Sequence, residues 1–275
     1  MFDKQSQAAL ASQFRQQHQG GSLLILPNIW DPLGAKLMEK LGYPSIATAS
    51  VATAIANGYL DGEHIPFKRL LEIVLQISSC VQIPLTVDIE RGFAGDDTMQ
   101  LKENIRLLIE HGATGINIED SRQDHKTLNP IKDQCLKIEA IREMSLQCGV
   151  PLVINARTDV FMIDPGTAME NGIERGRAYK SAGADCVYPV TINSYEAISR
   201  FVNEVGMPVN VLLMKSIPDL KRLKEIGVAR VSLGPNLLTH VLATMKEIAE
   251  GLLHEDSSAF FNRELLSREF RDSLV

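Results

Sequence analysis

Eight short runs of β-branched and apolar residues recur along the chain, at 23–27, 45–49, 84–88, 115–118, 152–155, 186–188, 209–213 and 230–233. Each is too short for a helix and reads as a strand. Between them the period changes. In 98–111 the apolar positions Leu101, Ile105, Leu108 and Ile109 share one helical face, and in 131–147 Leu136, Ile138 and Ile141 do the same. Glycine stands at four helix exits just before the next strand, at Gly42, Gly112, Gly183 and Gly227, where a left-handed C-cap favours it. The repeated unit of strand, helix, glycine and strand implies parallel strands with right-handed crossovers. Eight units favour closure into a (β/α)8 TIM-type barrel over an open doubly wound sheet, and 275 residues suit one such domain.

The barrel is expected to span residues 1–251. A tail at 252–275 follows, with Phe260, Phe261, Leu265, Leu266 and Phe270 at near-helical spacing. That stripe needs a cover, either its own barrel or a neighbouring subunit, and the sequence leaves the two readings even.

Composition narrows the partners. Twenty-eight Lys and Arg against 34 Asp and Glu give a formal charge of −6 without a long basic run, so nucleic acid is not expected. The first 19 residues are polar, and no stretch is apolar for long enough to insert in a membrane, which makes the cytoplasm the expected compartment. Cys80, Cys135, Cys148 and Cys186 show no CxxC spacing and read as reduced thiols. The first strand is followed by Pro27-Asn28-Ile29-Trp30-Asp31 instead of GxGxxG, so no dinucleotide site is expected.

Barrel chemistry sits where strands end. The third strand ends Asp88-Ile89-Glu90-Arg91-Gly92, the fourth Glu119-Asp120, and the fifth Arg157-Thr158-Asp159. In extended backbone Asp88 and Glu90 would share a side, and Glu119 comes from the adjacent strand. Clustered carboxylates without Cys or His suit a hard cation, Mg²⁺ with Mn²⁺ as its substitute, and Arg157 offers a planar fork to a substrate carboxylate. Alone, any of these residues reads as a helix cap or rim ion pair. As a set on consecutive strand exits they read as a site, with Asp120 free to cap the following helix. Tyr188 either lines the mouth or plugs the barrel, and Asn210 is divided between substrate contact and a structural hydrogen bond. Trp30 walls the pocket or closes the rim, and His125 and His240 read as a solvated loop residue and a helix residue.

The segments Asn28-Ile29-Trp30-Asp31, Ala47-Thr48-Ala49-Ser50, Asn57-Gly58-Tyr59-Leu60-Asp61-Gly62-Glu63, Val87-Asp88-Ile89-Glu90-Arg91-Gly92-Phe93, Gly115-Ile116-Asn117-Ile118-Glu119-Asp120 and Asn155-Ala156-Arg157-Thr158-Asp159 resemble, in order, the isocitrate lyase and phosphoenolpyruvate mutase superfamily. The resemblance implies Mg²⁺ at Asp88, Glu90 and Glu119, held directly or through water, and a substrate carboxylate on Arg157. It further implies that residues 48–50, with Thr48 and Ser50, receive the carboxylate and developing oxyanion, and that Asp61 lines the site. By the same resemblance the substrate is a small carboxylate and the assembly a homo-oligomer, tetramer or dimer, with the last helix exchanged between subunits. The reaction implied is cleavage of a C–C bond in a small 2-oxo or 2-hydroxy acid through an enolate. Phosphoenolpyruvate mutase or phosphonopyruvate hydrolase chemistry is the first alternative, and a barrel that only binds carboxylates or a partner is the second.

Departures bear on the reaction. The lyase loop Lys-Lys-Cys-Gly-His is replaced by Ser121-Arg122-Gln123-Asp124-His125-Lys126-Thr127-Leu128, and Cys135 is expected inside the next helix. Lys126 and Asn129 match only loosely the lid residues of phosphonate-handling members. Glu90 stands where many members have Asp, which leaves its direct coordination open.

Overall fold

The computed structural model describes residues 2–19, 21–124 and 126–275. Its strands are β1 (Leu24–Leu26), β2 (Asn28–Ile29), β3 (Ile46–Thr48), β4 (Leu85–Asp88), β5 (Gly115–Glu119), β6 (Val153–Thr158), β7 (Cys186–Pro189), β8 (Asn210–Leu212) and β9 (Arg230–Ser232). Every pairing between them is parallel. One sheet runs β2-β3-β4-β5-β6-β7 and the other β1-β9-β8. They meet at two places. Pro27 has no N–H to donate and splits one strand position into β1 and β2, while its carbonyl still accepts from Ala47 at 2.9 Å. Across the ring, a parallel bridge pairs Val187 with Val209, and Val187 N–H donates to the Pro208 carbonyl at 3.0 Å. The circuit has the eight strand positions of a TIM-type barrel.

Helices α1 (Lys4–Gln17), α2 (Pro32–Lys40), α3 (Ser50–Ala56), α4 (Phe67–Cys80), α5 (Thr98–Glu110), α6 (Ile131–Gln147), α7 (Val160–Ile163), α8 (Ala168–Ser181), α9 (Tyr195–Val205), α10 (Leu220–Ile226) and α11 (Asn236–Leu253) precede or follow the strands in turn. The exit glycines Gly42, Gly112, Gly183 and Gly227 all have positive φ, so the C-cap reading holds. Asp31, Asp97, Ser194 and Asp219 cap α2, α5, α9 and α10 through side-chain oxygens that accept orphan N–H groups. The apolar faces of α4 and α5, including Val74, Ile77, Ile105 and Leu108, are fully buried against the strands.

Helix α1 had no counterpart in the strand-and-helix pattern, because its apolar positions are few. It uses them at the barrel floor. Phe14 is fully buried and packs with Leu24, Leu26, Ala47 and Val153, while Gln7 Nε2 donates to the carbonyls of Ile109 and Ala113, each at 2.8 Å. A floor closed in this way leaves the C-terminal ends of the strands as the face for chemistry.

The four cysteines are free, and Cys135 lies within α6 as expected. No helix among the described residues is long and apolar enough to cross a membrane. Helix α11 continues through the expected boundary at 251 to Leu253, and α12 (Ser258–Phe261) and α13 (Arg268–Asp272) follow. The tail docks on its own chain in part, through an Arg263–Glu247 ion pair at 2.6 Å to α11 and through its last residues. The Lys40 ammonium sits 5.3 Å from the Phe270 ring centroid and Leu274 is buried, but Leu253, Phe261 and Leu265 are each at least 75% exposed.

Candidate active site

Asp88 ends β4 at the mouth of the barrel, and its carboxylate is held from three sides. Oδ2 accepts the Ser50 N–H at 3.0 Å, while Oδ1 accepts Asn117 Nδ2 at 3.0 Å and the Glu90 N–H at 3.2 Å. Its own N–H donates to Thr48 Oγ1 at 2.9 Å. Behind it, Asn155 Nδ2 donates to Asn117 Oδ1 at 2.7 Å, so the relay Asn155, Asn117, Asp88 crosses three neighbouring strands. Residue type and register together make this relay, since Asp88 pairs with Asn117 and Asn117 with Asn155.

Glu90 arrives by a different route from the one its spacing suggested. The strand stops at Asp88, and Glu90 has φ 50°, so extended alternation does not place its side chain. A turn does. Glu63 clamps that turn: its N–H donates to Glu90 Oε2 at 2.7 Å, its Oε1 accepts Phe93 N–H at 2.7 Å, and its Oε2 pairs with Arg91 at 3.2 Å. Gly92, at φ 105°, completes the turn where a Cβ would lie 2.6 Å from Leu101 Cδ1. Glu90 is almost wholly buried, and that burial, reinforced by Asp61, Asp88 and Glu119, pushes its carboxyl up to about 8.

Glu119 and Asp120 point to opposite sides, as period two requires. Glu119 turns inward to Arg157 Nη1 at 2.9 Å, Arg91 Nη1 at 3.4 Å and the Ser121 hydroxyl at 3.2 Å. Burial, with Asp159 and Asp88, outweighs these arginines and pushes its carboxyl up to about 7. Asp120 does not cap the following helix, which begins at Ile131 behind Pro130. Instead it is fully buried on the helix side, where Oδ2 accepts Tyr179 OH at 2.6 Å and Arg175 Nη1 at 3.0 Å, and Oδ1 accepts the Asp159 N–H at 2.9 Å. Arg157 is held between Glu119 and Asp159, the latter at 2.6 Å from Nε. Its Nη2 has no partner among the described residues.

A cavity of about 210 Å³ opens at this end of the barrel, and Asp88, Thr48, Ser50, Arg157, Tyr188 and Arg230 are among its walls. That volume lies below the range of drug-sized ligands and suits a small acid. Glu90 and Glu119 stand behind the wall. Asp61 lies exposed at the rim, its carboxyl raised by partial desolvation and then by Asp88. Asn210 is buried and accepts the Ser232 hydroxyl at 3.2 Å, and half-buried Trp30 packs on Ala49, Ala52 and Leu238. His240 lies on α11, and His125 lies outside the described residues. Lys126 is exposed, whereas Asn129 is buried and donates to Gln134 Oε1 at 3.1 Å.

Arg230 went unnoticed in the sequence. A charged residue inside the apolar run 228–233 was the signal available. Glu63 was likewise quoted only as part of a motif, and its clamp on the Glu90 turn depends on contacts 27 to 30 residues apart along the chain.

Among the described residues, no three acidic, His or Cys side chains form a preformed direct ligand set. The donor chemistry fits a water-keeping divalent cation. Asp88 presents a carboxylate at the wall, and two carboxyls behind it are raised chiefly by burial and by their acidic neighbours.

The sequence profile of the phosphoenolpyruvate phosphomutase family matches residues 14–253. A solved structure from Burkholderia cenocepacia J2315, provisionally described as a phosphonomutase, is 32% identical, with a TM-score of 0.84 over 89% of this chain and 98% of that one. The 2-methylisocitrate lyase of Bacillus subtilis is 26% identical over 74% of this chain and 67% of its own length. Oxaloacetate decarboxylase 2 of Pseudomonas fluorescens is 23% identical over 91% and 87%. With the profile covering most of its length, the chain belongs to the phosphoenolpyruvate phosphomutase family, within the isocitrate lyase and phosphoenolpyruvate mutase superfamily of enzymes.

Proposed function

We propose that this protein is a Mg²⁺-dependent enzyme that cleaves a C–C bond in a small 2-oxo or 2-hydroxy carboxylate through an enolate. The observation that carries the reading is the single small cavity in which Asp88, the 48–50 segment and Arg157 meet. Asp88 would hold the ion at the wall, with Glu90 and Glu119 reaching it through water. Bound there, Mg²⁺ supplies Lewis-acid charge to the substrate's 2-oxo oxygen. Arg157 orients the substrate carboxylate through the nitrogen that Glu119 and Asp159 leave open. The 48–50 segment lines the same cavity and would offer its hydroxyl and N–H donors to oxygen that gains charge as the bond breaks.

The segment 121–128 carries no cysteine, and Cys135 is held in α6, so the proton donor of the Lys-Lys-Cys-Gly-His lyases has no equivalent in that segment. This favours decarboxylation or hydrolytic cleavage of an oxaloacetate-like acid. Phosphorus–carbon chemistry is the weaker reading, because Asn129 is already engaged by Gln134. We further propose a homo-oligomer, supported by the exposed apolar stripe of α11 and the tail.

The test is NMR monitoring of purified protein with Mg²⁺, oxaloacetate, methylisocitrate, isocitrate and phosphonopyruvate, beside a chelator control. Chelator-sensitive loss of one carbon acid is expected. Asp88→Ala should retain the fold and lose turnover, and a full-rate variant would sink the reading.

A further inference from the structure

Lys137 sits in the second turn of α6, on the buried face it shares with Gln134, Ile138 and Ile141, and is only 7% exposed. Helical side chains lean toward the N-terminus of their helix, which in this barrel lies at the end where the strands exit. Lys137 therefore reaches a second cavity, of about 580 Å³, outside the ring of strands and between residues 63–67, the 91–96 turn and the 121–129 segment. No residue that lines this cavity also lines the one holding Asp88 and Arg157.

The Lys137 ammonium makes no hydrogen bond or ion pair with any described residue. Nearby acids do not fill that role. Glu63 has both carboxylate oxygens taken, one by the Phe93 N–H and one by Arg91, and Asp96 lies exposed at the open side. Both reach Lys137 only through space, where Arg91 and exposed Arg122 oppose them. An ammonium buried in this way has lost water without gaining a counter-ion, and it destabilises the fold unless something else pairs with it.

The opposite wall is of another kind. Phe67 and Phe93, both half-buried, stand with ring centroids 5.3 Å apart and planes at 42°, and Ile65, Pro66 and Ala94 extend the apolar side. Water or an inorganic anion would satisfy the ammonium but gain nothing from the rings. A ligand with one negative charge and an apolar body satisfies both walls, and the volume falls in the range of small-molecule sites. A dianion fits less well, because Asp96 and Glu63 border a site with one unpaired buried cation.

We propose that Lys137 and the Phe67–Phe93 pair form a binding site for an amphipathic monocarboxylate, with its carboxylate on the Lys137 ammonium and its aryl or alkyl body against the two rings. The site is separate from the barrel-mouth cavity and does not depend on which acid is cleaved there.

The test is calorimetric titration of the full-length protein with phenylpropionate, beside acetate, phenylpropanol and phenylpropylamine, repeated on the Lys137→Met, Phe67→Ala and Arg157→Gln variants. A charge-assisted hydrogen bond predicts phenylpropionate affinity lower by about tenfold or more in Lys137→Met. Loss of one ring predicts a drop of about threefold or more in Phe67→Ala. Arg157→Gln should change the affinity by less than about twofold, which separates this site from the barrel mouth. The alcohol and acetate should each bind at least about tenfold more weakly than phenylpropionate, and the amine should not bind. Without ligand, Lys137→Met should unfold at the temperature of wild type or above it, since an unpaired buried charge is removed. No binding of phenylpropionate to wild type, equal affinity in wild type and Lys137→Met, or a loss that follows Arg157 instead would each overturn the site. If Lys137→Met fails to fold, wild-type crystals grown with phenylpropionate decide: a carboxylate on the Lys137 ammonium supports the assignment, and a ligand elsewhere, or none, refutes it.

Discussion

Glu90→Gln isolates the electrostatic cost of the acidic cluster. Its ordinary value of 4.5 is raised to about 8 by burial and by Asp61, so between those values the folded protein retains a proton that the unfolded chain has lost. Stability therefore falls as pH rises through this window, and the full loss is reached above about 8. At ~1.4 kcal/mol per pH unit the loss is at most about 5 kcal/mol, and water entering the cavity as the group ionises brings it nearer 2. Glu119, raised to about 7, adds a loss of the same sign. Gln has the same shape and can still accept the Glu63 N–H, but it never ionises.

The assay is thermal unfolding of metal-free protein from pH 5 to 9, wild type beside Glu90→Gln. The two should unfold together near pH 5. By pH 9 the variant should be higher by about 4–8 °C, at ~2–4 °C per kcal/mol for a chain of this size. Mg²⁺ should narrow the gap by stabilising the ionised wild type more than the variant. A gap that stays constant across the range would refute the claim that burial of an ionising Glu90 shapes stability.

Asp120→Ala should leave Arg175 charged and buried, costing about 3–5 kcal/mol in chemical denaturation, whereas Tyr179→Phe should cost only about 1–2 kcal/mol. Gly92→Ala combines φ 105° with a 2.6 Å contact to Leu101, so it should lower stability by about 1–3 kcal/mol and lower turnover with it. A Leu253→Glu, Phe261→Glu double variant should shift the light-scattering mass toward the monomer with near-UV circular dichroism preserved, and an unchanged mass would locate the subunit contact elsewhere.

The alternation of strands and helices was legible because parallel strands buried on both faces leave continuous apolar runs, and crossovers leave a helical period. The strand exits were legible for the same reason: polar residues such as Asp88 and Arg157 interrupt those runs. What stayed hidden depends on backbone that leaves the regular menu. Glu90 looked like a strand residue two positions from Asp88, and only its left-handed φ shows that a turn clamped by Glu63 places it. Asp120 looked like a cap because it precedes a helix, but ten residues of loop separate it from α6 and its side chain faces α8. Helix α1 was hidden by its polarity, since it buries only Gln7, Ala11 and Phe14.

The barrel interior shows why a shared fold does not fix the reaction. Asn155, Asn117 and Asp88 form a relay whose members sit on rigid strands, so the Asp88 carboxylate keeps its direction whatever the loops do. Such a relay is expensive in a core that isoleucine and valine would otherwise fill, and Asn155 Oδ1 remains unsatisfied within it. Its value lies in holding one carboxylate still. Groups that would choose the bond to be broken lie outside this relay, in the 121–129 segment. Exchanging the loop while keeping the relay should therefore change which acid is consumed before it changes whether Asp88 is needed.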